Sequence, residues 1–287
     1  NQRKQNAWLW AELLLVSVFL WFLVDYLYVM GRTYTAPLGF DIRHTYSIVI
    51  SSLSERSPDY IPKEKRERPD GVHLLTALDR IRAYPGVESA CLTDGGMPYY
   101  MGSRNLVWRI DTLQVPCRNA FVTPEFFDVF RIYDKDGKTA SLKRAIEDNN
   151  SIVISADVET MNPGLSLLGQ KAYRGNVTDE IKETIRGISV PIRRHEYTKA
   201  EPNVYRALRL SRMEEGYYEG MIDAVRLCVR VRPDVDNADF PARLRKDMAE
   251  QLRLGNLYLL DVQPLSYIRD GYIRSIGVEN EVKTVWR

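Results

Sequence analysis

Residues 7–30 read AWLWAELLLVSVFLWFLVDYLYVM, a long apolar stretch close to the N-terminus. As a helix rising about 1.5 Å per residue, this stretch is long enough to cross the ~30 Å hydrocarbon core of a bilayer. Trp8 and Trp10 stand near one end of it, and Tyr26 and Tyr28 stand near the other. Paired aromatic belts of this kind suit the two headgroup levels of a membrane. The sequence therefore predicts one membrane-spanning helix, followed by a large water-exposed region.

Two other interpretations of this stretch are a cleaved signal peptide and a buried core helix. Glu12 and Asp25 leave an uninterrupted apolar run of only residues 13–24, a length that fits either of them. No small-x-small cleavage site follows, however, and the chain starts at Asn1 rather than Met, so we expect a fragment of a longer protein with a retained span. The two acids are placed near the interfaces, where their cost is small, and a functional intramembrane role is the alternative.

Charged residues on either side of the span predict its orientation. Arg3 and Lys4 precede it, and Arg32 and Arg43 follow it. Basic residues favour the cytoplasmic side, and the adjacent pair Arg3 and Lys4 is taken to mark that side. The N-terminus is therefore predicted to be cytoplasmic and the bulk of the chain extracytoplasmic, with Arg32 and Arg43 acting against this asymmetry.

The composition is that of a packed globular region. Lys and Arg number 40 against 38 Asp and Glu, a net charge of +2 that gives no electrostatic case for nucleic-acid binding. Hydrophobic residues make up 45 % of the chain, which is typical of a folded domain rather than a disordered one.

Cysteine and histidine are too sparse to indicate a metal site or a disulfide framework. Two of the three cysteines, Cys91 and Cys117, form a disulfide in one interpretation. In the interpretation that we favour, all three, with Cys228, are small buried residues on strands. The histidines, His44, His73 and His195, are scattered along the chain. We expect His195 to be exposed and its substitution to leave function intact.

Two strand–helix–strand units lie far apart in the sequence. The first predicts a strand over 45–53, a helix from an Asp70 N-cap to Tyr84 and a strand over 87–93; the second predicts a strand over 224–232, a helix opened by Asn237 or Asp239 and a strand over 257–262. Each helix carries one apolar stripe that must be covered. We therefore predict one split α/β sandwich with the middle of the chain inserted between its halves.

The middle of the chain has shorter elements. Strands are predicted over 106–110, 115–122, 151–154 and 184–190, with a helix over 123–130 and another from Ser155. The helix over 123–130 is expected to be capped by Thr123 and to present Phe126 or Phe127, with Phe130, to the core of the inserted lobe.

No pattern in the sequence indicates catalysis. Asp94-Gly95-Gly96 follows a strand, but no GK[ST] accompanies it and Met97-Pro98 is a poor helix start, so a phosphate loop is not predicted. No GxSxG motif is present, and no pair of carboxylates stands out from the other charges. We predict no catalytic residue, no cofactor, no metal and no enzymatic activity of this chain.

Five segments nevertheless occur in an order found in one family. They are PGVES (85–89), FVTPEFFDVFRI (121–132), SIVISADVETMNPG (151–164), LLGQ (167–170) and TIRGISVPIRRHEY (184–197). This order resembles the extracytoplasmic core domain of MacB/FtsX-type ABC transporter permeases and covers nearly the whole chain. Two places depart from the family pattern, at DKDGK (134–138) and at residues 159–161, which indicates a divergent branch.

The resemblance implies an α+β, two-lobed extracytoplasmic domain behind a transmembrane helix. Residues 1–32 are then transmembrane helix 1 with its cytoplasmic flank, 33–122 and 218–287 the two halves of a porter-like lobe, and 123–217 an inserted small α/β lobe. The second membrane helix of the family is expected to begin at residues 282–287.

The function implied is mechanical. A separate cytosolic ABC ATPase would hydrolyse ATP, and this permease, in the bacterial inner membrane with its domain in the periplasm, would convert that cycle into domain movement. The implied partners are the ATPase, a second permease copy or paralogue, a periplasmic adaptor and membrane lipid, without nucleic acid. The rivals are a membrane-anchored sensor or ligand-binding domain and an anchored extracytoplasmic enzyme.

Overall fold

The computed structural model of the chain describes residues 2–102, 104–174, 182–216, 218 and 222–277. Within these residues the strands are β1 Thr45–Ser52, β2 Val87–Asp94, β3 Arg104–Ile110, β4 Leu113–Val122, β5 Ser151–Ser155, β6 Lys171–Arg174, β7 Lys182–Ser189, β8 Asn203–Ala207, β9 Val225–Val231 and β10 Leu257–Pro264. The α-helices are α1 Gln2–Thr35, α2 Asp70–Arg82, α3 Phe126–Val129, α4 Ala140–Glu147, α5 Asp157–Met161, α6 Leu210–Glu214, α7 Phe240–Met248 and α8 Leu265–Ile276.

The N-terminal apolar stretch is one continuous helix, as predicted. Helix α1 has 34 residues, and an 18-residue window within Asn6–Thr35 has a mean hydropathy of 2.2 with none of that window buried. A helix of this length measures about 50 Å, more than the ~30 Å hydrocarbon core, so α1 is long enough to span a membrane and continue beyond it. The interpretation of this stretch as a buried core helix is wrong.

Four strands form the sheet of the porter-like lobe. They lie in the order β10-β1-β9-β2, and every neighbouring pair is antiparallel. Because β1 and β2 belong to the first strand–helix–strand unit and β9 and β10 to the second, the two units interleave in one sheet. This is the split βαβ arrangement that the sequence predicts, and the predicted α+β class is confirmed.

Helices α2 and α7 cover one face of this sheet. Their buried residues are Leu74, Ala77, Leu78 and Ile81 from α2 and Phe240, Leu244 and Met248 from α7. They pack on alternate residues of the central strands, such as Ile48 and Val229, in one hydrophobic core. The apolar stripe of each predicted helix is thus buried against the strands of both units.

The other six strands close into a barrel, residues 104–207. The ring runs β4-β3-β6-β7-β5-β8 and returns to β4 through a parallel β4–β8 pairing. Trp108, Ile152 and Ile185 fill its interior. Strand β4 also pairs with β2 through Thr93–Val122 and Asp94–Phe121, which joins the barrel to the sheet of the porter-like lobe.

A third core lies between the barrel and the uncovered face of the porter-like sheet. It contains Phe126, Phe127 and Phe130 of the α3 region, together with Tyr205 of the barrel and Cys228 of β9. We call it the interlobe core. The α3 rings pack on Tyr205 of the inserted lobe, as predicted, and the same core also includes Cys228 of the porter-like sheet.

The strand pairings differ from the predicted division of the chain at one place. The hairpin of β3 and β4, within the predicted first half of the porter-like lobe (33–122), pairs along most of its length with barrel strands. The sequence could not reveal this, since β6 and β8 are short, polar partners distant in the chain. The predicted start of a second membrane helix at 282–287 lies outside the described residues.

Two predicted helix caps are absent. Thr123 Oγ1 accepts a hydrogen bond from the Leu92 amide at 3.1 Å, so it binds β2 instead of capping α3. Asp70 is the first residue of α2, and its carboxylate binds Arg66 at 3.1 Å. A tertiary contact thus engages Thr123, and a local ion pair four residues back engages Asp70, in place of the predicted caps.

The interlobe core gives a test of stability. Phe127 is completely buried, with its ring 5.8 Å from that of Phe126. We expect Phe127→Ala to lower the free energy of unfolding by about 3–5 kcal/mol, because it removes a buried ring and leaves a cavity. Chemical denaturation of the full chain in detergent measures this loss. Leu168→Ala, at an exposed turn position, should change stability by less than about 0.5 kcal/mol, and an equal effect of both substitutions would contradict the assignment.

Candidate functional site

Three segments meet where the chain leaves α1. The first is residues 36–44, between α1 and β1, which we call the exit segment. The second is residues 190–202, between β7 and β8 of the barrel, which we call the junction loop. The third is helix α8. The junction loop, which belongs to the barrel, contacts both the exit segment and α8.

Arg193 joins the end of α1 to the junction loop. Its side chain is buried and donates from Nη1 to the Ala36 carbonyl at 2.6 Å, from Nε to the Thr198 carbonyl at 2.7 Å and from Nη2 to the Glu196 carbonyl at 2.5 Å. The Arg193 amide also donates to the Leu38 carbonyl at 3.0 Å. Burial lowers the pKa of Arg193, but a guanidinium remains charged in proteins. Its charge stands at the C-terminal end of α1, where a cation is favourable.

Arg230 joins the exit segment to the porter-like lobe. The side chain, on the central strand β9, is completely buried. It donates to three backbone carbonyls, those of Val129, Arg43 and Asp41, each at 2.7 Å. Strand β9, the end of α3 and the exit segment are thus held by a single guanidinium.

Tyr99 and Glu196 connect the exit segment to α8. The Tyr99 ring lies 5.8 Å from Phe40, and its hydroxyl donates to Glu196 Oε1 at 3.0 Å. Arg269 of α8 donates from Nε to the same oxygen at 2.5 Å. Burial by itself would raise the pKa of Glu196, but hydrogen bonds, including those from Arg269 and Tyr99, lower it below its ordinary value. The Glu196 carboxylate is therefore stabilised in its charged form.

Aromatic contacts add to the docking of α8 on the junction loop. The Tyr272 ring lies 5.8 Å from His195 and 5.9 Å from Tyr99, and the Arg194 guanidinium lies 5.8 Å from the Tyr272 centroid. At the end of α1, the ring of Tyr34 lies 5.7 Å from Tyr197. The helices α1 and α8 therefore both contact the same loop.

A cavity of about 610 Å³ opens between the exit segment, the start of α8 and residues 236–241. Asp236 binds two residues on its wall, His44 Nδ1 at 2.5 Å and the Tyr46 hydroxyl. Burial and the neighbouring Asp236 raise the pKa of Tyr46, so its hydroxyl stays protonated. The remaining lining mixes apolar side chains such as Phe40 with Arg269.

The contacts of this site hold separate segments of the chain together. Within the part of the chain that the structure describes, no cluster of three or more His, Cys, Asp or Glu side chains is placed to bind a metal ion. The buried arginines Arg193 and Arg230 link separate elements by donating to their backbone carbonyls.

The residues singled out by the sequence have mixed outcomes. Cys91, Cys117 and Cys228 are buried and lie on strands, as predicted. The alternative pairing of Cys91 with Cys117 is wrong, because Cys91 lies opposite Cys228 and Cys117 belongs to the barrel interior. The expectation that His195 is exposed is also wrong: it is completely buried beside Tyr272.

Sequence patterns missed the two arginines of the junction. Arg230 falls on the polar side of an alternating strand, which predicts a solvent-facing position. The structure covers that face with α3 and the exit segment, so both sides of β9 are buried. Arg193 stands in the RR pair of residues 193–194, which carries no local sign of burial. Arg230 is distinguished only by its contacts with three carbonyls distant in the chain, and Arg193 by its contact with the distant Ala36 carbonyl. Both relations exist only in the folded protein.

Comparison with solved structures found similar domains. The chain is similar to a domain of a protein described as a permease from Porphyromonas gingivalis, with 18 % identity and a TM-score of 0.48 over 78 % of this chain and 91 % of that one. It is similar to the periplasmic region of MacB from Actinobacillus actinomycetemcomitans, with 10 % identity and a TM-score of 0.45 over 83 % and 94 %. It is also similar to the extracellular domain of the noncanonic ABC-type transporter YknZ from Gram-positive bacteria, with 11 % identity and a TM-score of 0.42 over 75 % of this chain and 100 % of that one.

No family model and no curated protein matches the chain.

The buried guanidinium of Arg230 gives a direct test of the junction. We expect Arg230→Met to destabilise the protein by about 3–5 kcal/mol, since three buried carbonyls lose their donor. Arg230→Lys should recover only part of this loss, because one ammonium cannot reach three separate acceptors. The Asp41 amide donates to the Phe130 carbonyl at 2.8 Å, and its hydrogen exchange should be faster in the Arg230→Met variant than in the unmodified protein.

The control for this test is Arg232→Met, two residues along the chain, where the side chain is 58 % exposed and pairs with Asp234. It should change stability by less than about 0.5 kcal/mol. Equal stability of the two methionine variants would show that Arg230 does not hold the exit segment.

The Glu196 carboxylate predicts a pH dependence. Because its folded-state pKa is lowered, its contribution to stability is present above the ordinary value of 4.5 and is lost as pH falls through the lowered value. We expect the melting temperature of the protein to fall between pH 6 and about pH 3 by more than that of Glu196→Gln. Parallel melting curves for the two proteins over this range would contradict the interaction with Arg269 and Tyr99.

Proposed function

We propose that this chain is the membrane anchor and extracytoplasmic domain of a MacB/FtsX-type ABC transporter permease. In this proposal the domain moves in response to ATP hydrolysis by a separate cytosolic subunit. The observation that carries it is the shared docking of α1 and α8 on the junction loop. The order of sequence segments supports the family, and α1 supplies a helix suited to spanning a membrane.

The junction supports a mechanical role because its contacts are buried and directional. The exit segment bonds to the barrel through Arg193 and to the porter-like sheet through Arg230. Breaking a buried charged contact of this kind costs about 3–5 kcal/mol. A shift of α1 relative to α8 would thus move the two lobes as packed bodies rather than detach the exit segment.

The energy source in this proposal lies outside the chain. The sequence contains no phosphate loop, and we assign ATP binding and hydrolysis to a cytosolic ABC ATPase. A second permease copy or paralogue and a periplasmic adaptor complete the assembly. The N-terminus is cytoplasmic, and residues beyond α1 lie on the extracytoplasmic side of the bacterial inner membrane.

A membrane-anchored ligand-binding domain is the second candidate. The cavity of about 610 Å³ beside the exit segment favours it, since its lining combines apolar and charged groups and lies where a ligand would contact both α8 and the segment that follows α1. A ligand there would change the spacing of the two helices. In that case function would depend on cavity residues such as His44 without any requirement for an ATPase.

Arg269→Gln tests the mechanical proposal. It removes the charged partner of Glu196 and should weaken docking of α8 by about 1–2 kcal/mol, a value between those of exposed ion pairs and buried charged hydrogen bonds. In the complete transporter we expect substrate transport to fall several-fold while ATP hydrolysis by the partner subunit continues. Transport and hydrolysis are measured on the same reconstituted complex.

The matched control is Arg253→Gln. Arg253 pairs with Asp59 at 2.8 Å on the surface of the porter-like lobe, away from the junction, and both side chains are more than half exposed. This control should leave transport unchanged. Equal transport by both variants and the unmodified protein would refute coupling through α8.

A further inference from the structure

Cys91 and Cys228 lie directly opposite each other in the porter-like sheet. Cys91 is on β2 and Cys228 is its register partner on the antiparallel strand β9. Both side chains are completely buried in the interlobe core. Both are free thiols in this structure.

This placement meets the geometric requirement of a disulfide. Directly opposed residues of an antiparallel pair have Cα atoms about 4.5–5.5 Å apart and side chains on one face of the sheet. Disulfides join Cα atoms separated by about 4.4–6.8 Å. The two thiols therefore need no backbone rearrangement to approach bonding distance.

We propose that Cys91 and Cys228 are joined by a cross-strand disulfide when the chain folds in contact with a thiol–disulfide oxidant. The two thiols lose two protons and two electrons as the sulfur–sulfur bond forms. The oxidant is a disulfide, either of a small thiol or of an oxidoreductase, and it accepts them and is released as two thiols through a mixed-disulfide intermediate. The presence of this oxidant in the native compartment rests on the extracytoplasmic location in the proposed function.

The bond forms during folding rather than afterwards. In the folded protein, burial raises the pKa of the Cys91 thiol, so little thiolate is present to attack a disulfide. Phe126 and Phe127 lie in the same core and exclude reagents from it. Once formed, the bond is shielded from reductants by the same packing.

The position of the pair in the chain determines how a bond between them would stabilise the fold. Strand β2 is the last element before the barrel and β9 is the first strand after it that returns to the porter-like sheet. A bond between them closes a loop that contains the whole barrel. Because the entropy removed from the unfolded chain increases with loop length, a staple here is effective at holding the two halves of the split lobe together.

Cys117 supplies an internal control. It lies inside the barrel with Trp108 and Val204, whereas the pair lies in the interlobe core. A nonspecific oxidation that followed unfolding would include Cys117, and the folded geometry leaves it as a free thiol.

The first experiment tests pairing independently of location. The full chain is purified in detergent, reduced and unfolded in guanidinium, and refolded in a mixture of reduced and oxidised glutathione. It is then alkylated under denaturing conditions and mapped by mass spectrometry. We expect one crosslinked peptide pair joining Cys91 to Cys228, and an alkylated Cys117. Cys117→Ala should give the same bond and Cys228→Ala none, while three alkylated thiols, or a bond to Cys117, in the unmodified chain would overturn the proposal.

The second readout is stability. We expect the melting temperature of the refolded, oxidised protein to exceed that of protein refolded with a reductant by roughly 5–10 °C. The Cys91→Ala, Cys228→Ala double variant should show the same melting temperature in both conditions. A shift of the same size in the double variant would assign the effect to something other than this bond.

The third readout uses cells and separates the pairing from the location. Lys135 is exposed, and Lys135→Cys in a variant lacking the native cysteines reports whether a membrane-impermeant maleimide reaches the domain from outside. If the maleimide labels the Lys135→Cys variant while the unmodified protein, quenched with acid, shows three free thiols, the disulfide in the native protein is overturned. Absence of labelling would instead refute the proposed location, and the refolding result would then decide the pairing alone.

Discussion

The rest of the structure depends on a charge buried where three chain segments meet. The Arg230 guanidinium bonds to carbonyls of the exit segment and to the end of α3, and it sits on the central strand of the porter-like sheet. Such a charge is tolerated in a core only when its donors are satisfied, so the three segments must keep one relative arrangement. The position of the exit segment is therefore fixed to the sheet, and with it the point at which α1 meets the domain.

The barrel is held to the porter-like lobe in two ways. Two residue pairs between β2 and β4 continue the sheet into the barrel, and the interlobe core fills the space between them with rings such as Phe126 and Phe127. The junction loop then returns from the barrel to bind both the exit segment and α8. The inserted barrel is therefore in contact both with the segment that follows α1 and with α8.

The sequence predicted the porter-like lobe well because its signals are local. Alternation along 45–52 and the apolar stripes of α2 and α7 each follow from backbone geometry and the need to cover an apolar face. The barrel was only partly predicted. Strand β8 reads NVYRA and β6 reads KAYR, and neither has a pattern that distinguishes a strand from a loop until its partners are in place.

The candidate site shows the same division. The sequence by itself determined an apolar N-terminal helix long enough for a membrane, a split α/β lobe and the absence of a recognisable catalytic motif, because hydrophobic periodicity and motif spacing are properties of neighbouring residues. Only the tertiary structure decided that Arg193, Arg230 and Glu196 are buried, each with its own bonding partners. It also decided that Cys91 faces Cys228. Those relations join residues far apart in the chain, and their energy comes from desolvation and pairing that exist only after the segments have packed.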